Sequence, residues 1–217
     1  MNRAANSQPK DDDRDDAPEA RTAIGVDLGV KRSLVAAPPD PDPDVSDALV
    51  VGGSVERDLY DGLGDTLARL DELAVSTDEA EAETIETYRS LLRQRFGLAV
   101  HALVEYADRH DADVVAFEDV NYKRGALAEC ARNRTKASEW VLPALRERLE
   151  VTLAAEDYRV ERVNAAYSTQ RCHVCGELSD LSPATITCET EGCPVDAVCR
   201  DRSAAVTIAQ RGQGGQL

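Results

Sequence analysis

Three acids stand where the pattern of the chain predicts that an element ends or begins. Asp27 closes the apolar run of IGVDLG, Glu118 closes that of VVAFED, and Asp201 opens the helix expected from CRDRSAA. A carboxylate at the end of a buried strand is costly unless something compensates its charge. Two such groups side by side repel each other unless a cation sits between them. Hard oxygen donors of this kind suit Mg²⁺ or Mn²⁺. Two such ions about 3.5–4 Å apart can activate a water and stabilise the leaving oxygen of a phosphodiester. In a chain with 41 Asp and Glu, one acid alone means little. It can be a solvated charge or, for Asp201, a helix cap. The element that each acid terminates is what singles these three out.

The second constellation is sulfur. Of six cysteines, Cys172, Cys175, Cys188, Cys193 and Cys199 cluster near the C-terminal end, and Cys130 stands apart. CHVC at 172–175 and CETEGC at 188–193 form two pairs. Each pair can present two thiolates from a turn, as a tetrahedral zinc requires at about 2.3 Å per sulfur. Cys172, Cys175, Cys188 and Cys193 are the expected ligands of a structural Zn²⁺. Cys199 could replace Cys193, and His173 is a lesser candidate. Free or disulfide-bonded cysteines are the simpler reading, but paired short spacings favour zinc. Cys130 is most simply a small buried residue.

The elements that must position these groups follow from periodicity. The segment 21–28 alternates and reads as a strand, 33–37 as a second strand of a hairpin, and 48–51 as a third. PPDPDPDVSD at 38–47 is a loop. A weak helical pattern covers 59–75. A stronger one covers 84–110, where Ile85, Tyr88, Leu92, Phe96, Val100, Leu103 and Ala107 recur at three- and four-residue steps. Residues 113–118 read as a strand buried on both faces, 137–155 as a helix, 159–163 as a strand and 202–210 as a closing helix. Strands alternating with helices imply an α/β fold with a mixed sheet.

The chain has 217 residues and a formal charge of −16. Such acidity opposes nucleic-acid binding, because phosphate affinity comes from Lys and Arg. With few aromatics and Arg well above Lys, it instead reads as adaptation to a very salty cytoplasm, as in a halophile, where the Debye length falls to about 3 Å. Locally the balance inverts: residues 121–148 hold seven basic residues against three acids. Lys123, Arg124, Arg132, Arg134 and Lys136 are therefore candidate contacts to a phosphate backbone next to Glu118. A salt-bridged helix face is the competing reading. Tyr122 and Trp140 could stack on bases, although Trp140 is more simply a core residue. No apolar run approaches the length of a membrane span, and the N-terminus lacks a secretory core, so a cytoplasmic protein with no membrane partner is expected. Residues 1–20 are expected to form a disordered acidic tail.

At these residues the chain resembles the TnpB (OrfB) proteins encoded by insertion sequences. IGVDLGVKRSLVA is similar to the first RuvC motif, ADVVAFEDVNYKRG to the second and DRSAAVTIAQRG to the third, while YSTQRCHVCG resembles the entry to the family's zinc ribbon. The resemblance implies an RNase H-like (RuvC-type) mixed sheet flanked by helices, with an inserted zinc ribbon. It divides the chain into a nuclease domain at 21–170 and 200–212 and a ribbon at 171–199. It implies Asp27, Glu118 and Asp201 as catalytic acids holding Mg²⁺ or Mn²⁺. It also implies a metal-dependent endodeoxyribonuclease active in transposition, with DNA and a guide RNA as partners. The family's N-terminal lobe is expected to be missing here, which makes a separately encoded lobe a further partner. The CETEGC pair and Ser203 depart from the family pattern.

Two other readings compete. One is an inactive remnant or accessory subunit that keeps the ribbon and binds nucleic acid. The other is an actin-like or sugar-kinase ATPase, because VDLGVKR also resembles a phosphate-contacting hairpin. The cysteine cluster and Asp201 oppose the ATPase.

Overall fold

β1 (Ala23–Leu28) is buried along Ala23–Val26 because it is the middle strand of a sheet covered on both faces. The computed structural model describes residues 22–40 and 42–214; the tail expected over 1–20 lies outside them. β2 (Arg32–Ala37) pairs antiparallel with β1, and β3 (Leu49–Gly52) antiparallel with β2. On the other side of β1, β4 (Val114–Glu118) and then β5 (Arg159–Val163) pair in parallel. The order is β3-β2-β1-β4-β5. Parallel neighbours need long crossovers. Helices α1 (Ser54–Asp71) and α2 (Asp78–Arg109) carry the chain from β3 to β4. Helices α3 (Leu127–Arg132) and α4 (Ala137–Ala155), joined by one 3₁₀ turn, carry it from β4 to β5.

Side chains alternate between faces along a strand. Ile24 and Val26 of β1 and Val115 and Phe117 of β4 therefore share one face. There they join Leu63 and Leu67 of α1, Leu92, Phe96 and Leu103 of α2, and Leu145 and Leu149 of α4 in the main core. The opposite face receives α5 (Arg200–Gly212), which is rich in small residues. Gly25 explains how close α5 comes: a Cβ there would lie 2.1 Å from the Ala205 carbonyl oxygen and 2.2 Å from the Ala209 amide nitrogen. Gly212 meets Ala23 and Ala116 at the far end of the sheet. Helix α5 thus runs against the direction of β1 and brings its first turn to the end where β1 and β4 finish.

Between β5 and α5 lies a small antiparallel sheet of β6 (Asp180–Leu181), β7 (Thr185–Thr187) and β8 (Val198–Cys199). It shares a second core with β2 and α5, built from Cys172, Ile186, Val195 and Val198 against Val35, Ala37, Ala205 and Val206. No helix among the described residues is long and apolar enough to cross a membrane.

The observed elements differ from the sequence expectation at their polar ends. α1 and α2 begin earlier than expected, at Ser54 and Asp78. Their first turns carry no apolar stripe, and α2 opens on Asp78, Glu79 and Glu81, which favour a helix N-terminus electrostatically. α3 is too short to show a period, although Leu127, Cys130 and Ala131 are buried at helical spacing. Pro143 lies inside α4 and cannot donate to the carbonyl of Glu139. The Gly125 N–H uses that carbonyl instead, at 3.0 Å, and ties the segment after β4 to α4.

Candidate active site and four-cysteine centre

Register and parity decide where the strand acids point. Val26 pairs with Phe117, so Asp27 and Glu118 occupy the next positions on neighbouring parallel strands. Asp27 has the parity of Gly25 and Glu118 that of Ala116, both of which meet α5. Both acids therefore face α5, whose first turn carries Asp201. Burial, then the charges of Glu118 and Asp201, push the Asp27 carboxyl up to about 8, against the opposing pull of Arg200 and Arg32. Glu118 is also raised, chiefly by burial; the Ser168 hydroxyl donates to its Oε1, and Arg211 acts in the same lowering direction.

Asp201 is held differently. Arg32, at the start of β2, binds its Oδ2 at 2.6 Å, and Arg200 Nε lies 3.6 Å from its Oδ1. Among the described residues, the one group of His, Cys, Asp or Glu ligand atoms that gathers within 4.8 Å is formed by cysteines. The three carboxylates face one end of the sheet but stand further apart than that. The donor set still fits a hard divalent cation: three carboxylates, one of them raised by burial and then by its like-charged neighbours. An ion held by all three requires Asp201 to leave Arg32.

The carboxyl of Asp27 supplies a stability test. Its folded-state value lies above that of the unfolded chain, so the penalty is absent near pH 4 and fully present above about pH 8. Stability of the metal-free protein must therefore fall as pH rises through this window. Asp27→Asn removes the penalty. With solvent screening allowed for, it should be worth on the order of 2 kcal/mol, or roughly 5 °C in Tm at pH 9 in EDTA, and almost nothing at pH 4. Equal gains at both pH values would show that charge burial at Asp27 is not the cause.

Ser168 and Arg211, which the sequence reading did not single out, complete the surroundings together with Tyr122, which it did as a stacking candidate. Arg211 of α5 donates to the carbonyls of Asn164 and Ala166 (2.9 Å to Ala166), which fixes the loop carrying Ser168. Tyr122 is pushed up to about 12 by burial, then by the charge of Glu118, and lies under the Arg146 guanidinium, 5.7 Å from ring centroid to Cζ. A hydroxyl or guanidinium distant in sequence carries no local motif, so only the fold reveals these partners.

The sulfur site is unambiguous in composition. Cys172, Cys175, Cys188 and Cys193 bring their Sγ atoms within 4.8 Å of one another. Cys172 and Cys193 are 3.6 Å apart, and Cys175 and Cys188 3.5 Å. Sulfurs at about 2.3 Å from a tetrahedral zinc lie about 3.8 Å apart. A disulfide would need about 2.05 Å. The four thiols therefore fit a zinc ion, and none is disulfide-bonded.

Cys199 is not part of this group, which corrects its candidacy as a replacement for Cys193. It sits at the junction of β8 and α5, where its backbone serves as the helix cap. His173 is corrected too. Its Nε2–H donates to the Asp42 carbonyl at 2.9 Å, which leaves Nδ1 to accept from the Ser203 hydroxyl at 3.0 Å. Both nitrogens are used, and burial lowers the ring's affinity for a proton, so His173 is a neutral pin between the ribbon, the 38–48 loop and α5.

The basic stretch is engaged in ion pairs. Lys123 meets Glu139 at 3.4 Å, Arg124 Glu147 at 3.2 Å, and Lys136 Glu129 at 3.2 Å. Arg132 bridges Asp71 and Glu81, and Arg134 pairs with Asp65. The salt-bridged face weighed against the phosphate contact is the arrangement present.

Comparison with known proteins follows these lines. Residues 144–208 match the family described as Cas12f1-like, TNB domain, a span that contains the cysteine quartet and Asp201. The fold is similar to a chain in the cryo-EM structure of a Cas12f1–sgRNA–target DNA complex. The TM-score is 0.64 at 14% identity, covering 89% of this chain and 51% of that one. It is also similar to a chain in a CRISPR–Cas12f ternary complex, with a TM-score of 0.62 at 15% identity, covering 87% of this chain and 38% of that one. The chain thus spans about half the length of the first and less of the second. No curated protein matches the sequence. The architecture is a RuvC-type α/β fold like that of Cas12f, with a cysteine cluster compatible with a zinc ribbon. The family match is confined to the segment that carries the cysteine quartet, and the structural likeness is one of fold.

Proposed function

We propose that this chain is the nuclease core of a transposon-encoded, TnpB-like protein, a divalent-metal-dependent DNA endonuclease acting in transposition. The supporting observation is the placement of two strand-end acids on adjacent parallel strands, facing the helix whose first turn carries a third. In this reading Asp27, Glu118 and Asp201 hold Mg²⁺ or Mn²⁺, and the four cysteines hold Zn²⁺. The nuclease domain covers 21–170 and 200–212, with the ribbon at 171–199. Partners are DNA and a guide RNA, the nucleic acids named for one of the similar complexes.

Bound divalent ions would supply an activated water and charge stabilisation for the leaving oxygen, leaving a 5′-phosphate and a 3′-hydroxyl. The chain's own residues do the positioning. Ser168 orients Glu118, and Arg211 holds the loop that bears Ser168. Lys123, Arg124, Arg132, Arg134 and Lys136 can exchange their carboxylate partners for phosphates at little cost, since exposed ion pairs are worth about 0–1 kcal/mol. Incubation with single- and double-stranded DNA tests the reading. Cleavage is expected with Mg²⁺ or Mn²⁺ and none with EDTA; products lacking a 5′-phosphate would contradict it.

One observation favours the second reading, an inactive nucleic-acid-binding remnant: Asp201 is paired with Arg32 rather than gathered with the other acids. The two readings diverge at Arg32→Gln. If Arg32 is a resident counter-charge that the metal displaces, this variant should bind Mn²⁺ roughly three- to tenfold more tightly by calorimetry, the worth of a partly exposed ion pair. Arg32→Lys should behave like the parent. Unchanged affinity would mean that Asp201 takes no part in metal binding.

A further inference from the structure

In so acidic a chain most described basic side chains have found an acid or a carbonyl. Arg93 of α2 and Arg148 of α4 are among those that have not; both are exposed, and neither has an ion-pair or hydrogen-bond partner among the described residues. They line the same groove, of about 670 Å³, between α2 and α4. That size lies within the usual range for ligand sites, about 300–1,000 Å³. Arg89 and Arg124 join them on its rim, against Glu139 and Glu147, so the groove is net positive where the whole chain is −16.

Its lining also includes aromatic rings. Phe96 is buried, with 1% exposure. Trp140 packs on it at 6.0 Å between centroids but is only half-buried and itself lines the groove. Arg124, Pro143 and Glu147 also line a neighbouring depression that reaches Tyr122 and Arg146.

An aromatic platform flanked by unpaired guanidiniums binds stacked bases and their phosphates. A duplex offers no free base face to such a platform. We propose that the α2/α4 groove is a binding site for single-stranded nucleic acid, in which Trp140 stacks a base and Arg93 and Arg148 take the adjoining phosphates. The inference rests on the nucleic-acid reading above and adds a binding surface separate from the three acids.

Trp140 is the single tryptophan of the chain, so its fluorescence reports this groove alone. The test uses the full chain carrying Asp27→Asn, titrated with end-labelled oligothymidylate, with tryptophan emission and label anisotropy read together. Binding should quench Trp140. Arg93→Gln with Arg148→Gln should weaken affinity roughly tenfold and reduce the slope of log K against log salt by about 1.4, the loss of two single-strand phosphate contacts. Trp140→Phe should keep part of the affinity and Trp140→Ala lose it.

Binding without quenching, unchanged by the arginine substitutions, would overturn the groove site and leave the nuclease reading standing. No anisotropy change even at low salt would sink both. Equal quenching by duplex DNA would overturn the single-strand assignment, and equal quenching by polyglutamate would make the groove an acidic-peptide site instead.

Discussion

Asp27→Asn should abolish Mg²⁺-dependent DNA cleavage, by roughly a thousandfold or more, equivalent to about 4 kcal/mol of transition-state stabilisation. Asparagine keeps the shape and removes the charge. The loss is expected to be this large because Asp27 is the central acid. It lies on the middle strand of the sheet, next in register to Glu118, and feels the charges of both other acids. Glu118→Gln and Asp201→Asn should lose activity on the same scale, and the double variants should lose little more, since groups acting as one unit are not additive. Ser168→Ala should cost far less, about tenfold, because it only orients Glu118. Activity in Asp27→Asn equal to that of the parent would end the assignment. The same variant should be more stable at pH 9 without metal, which separates lost chemistry from lost folding.

The second large effect is expected at the cysteines. Stripping zinc with a chelator, or replacing Cys172 by Ser, should unfold the 171–199 segment and abolish cleavage as well. Structural zinc contributes about 10–16 kcal/mol in small zinc modules, far more than any single contact in the ribbon. The coupling to activity is covalent and short: β8 ends at Cys199 and α5 begins at Arg200, one residue before Asp201. Cys172 is itself buried in the core shared with Ala205 and Val206 of α5. His173 and Gln210 add hydrogen bonds from the knuckle to α5 and the 38–48 loop. Metal analysis should find one zinc per chain in the parent and in Cys199→Ser, and none in Cys172→Ser. Full zinc content and an unchanged Tm in Cys172→Ser would contradict the quartet.

Much of this was legible in the residues themselves. An alternating segment marked β1 and a continuous apolar run marked β4, with Asp27 and Glu118 near their ends. The cysteine pairs announced a tetrahedral site by spacing alone. Parity is legible too: the small residues Gly25 and Ala116 mark the face on which α5 lies, two positions before each acid. What was not legible depends on distance in sequence. Arg32 meets Asp201 across 169 positions, and Ser168 meets Glu118 across 50. The basic stretch carries an excess of cations because Arg132 and Arg134 find their acids, Asp71, Glu81 and Asp65, on α1 and α2, far from it in sequence. Arg148 belongs to the same stretch, and only the fold sets it beside Arg93 with neither paired to an acid.

The central claim is that Asp27, Glu118 and Asp201 share divalent metal. Anomalous scattering from a crystal grown with Mn²⁺ addresses it directly. The account predicts manganese in contact with Asp27 and Glu118, with Asp201 turned from Arg32 to join them. Manganese confined to surface acids elsewhere, with the Arg32–Asp201 pair intact, would contradict it.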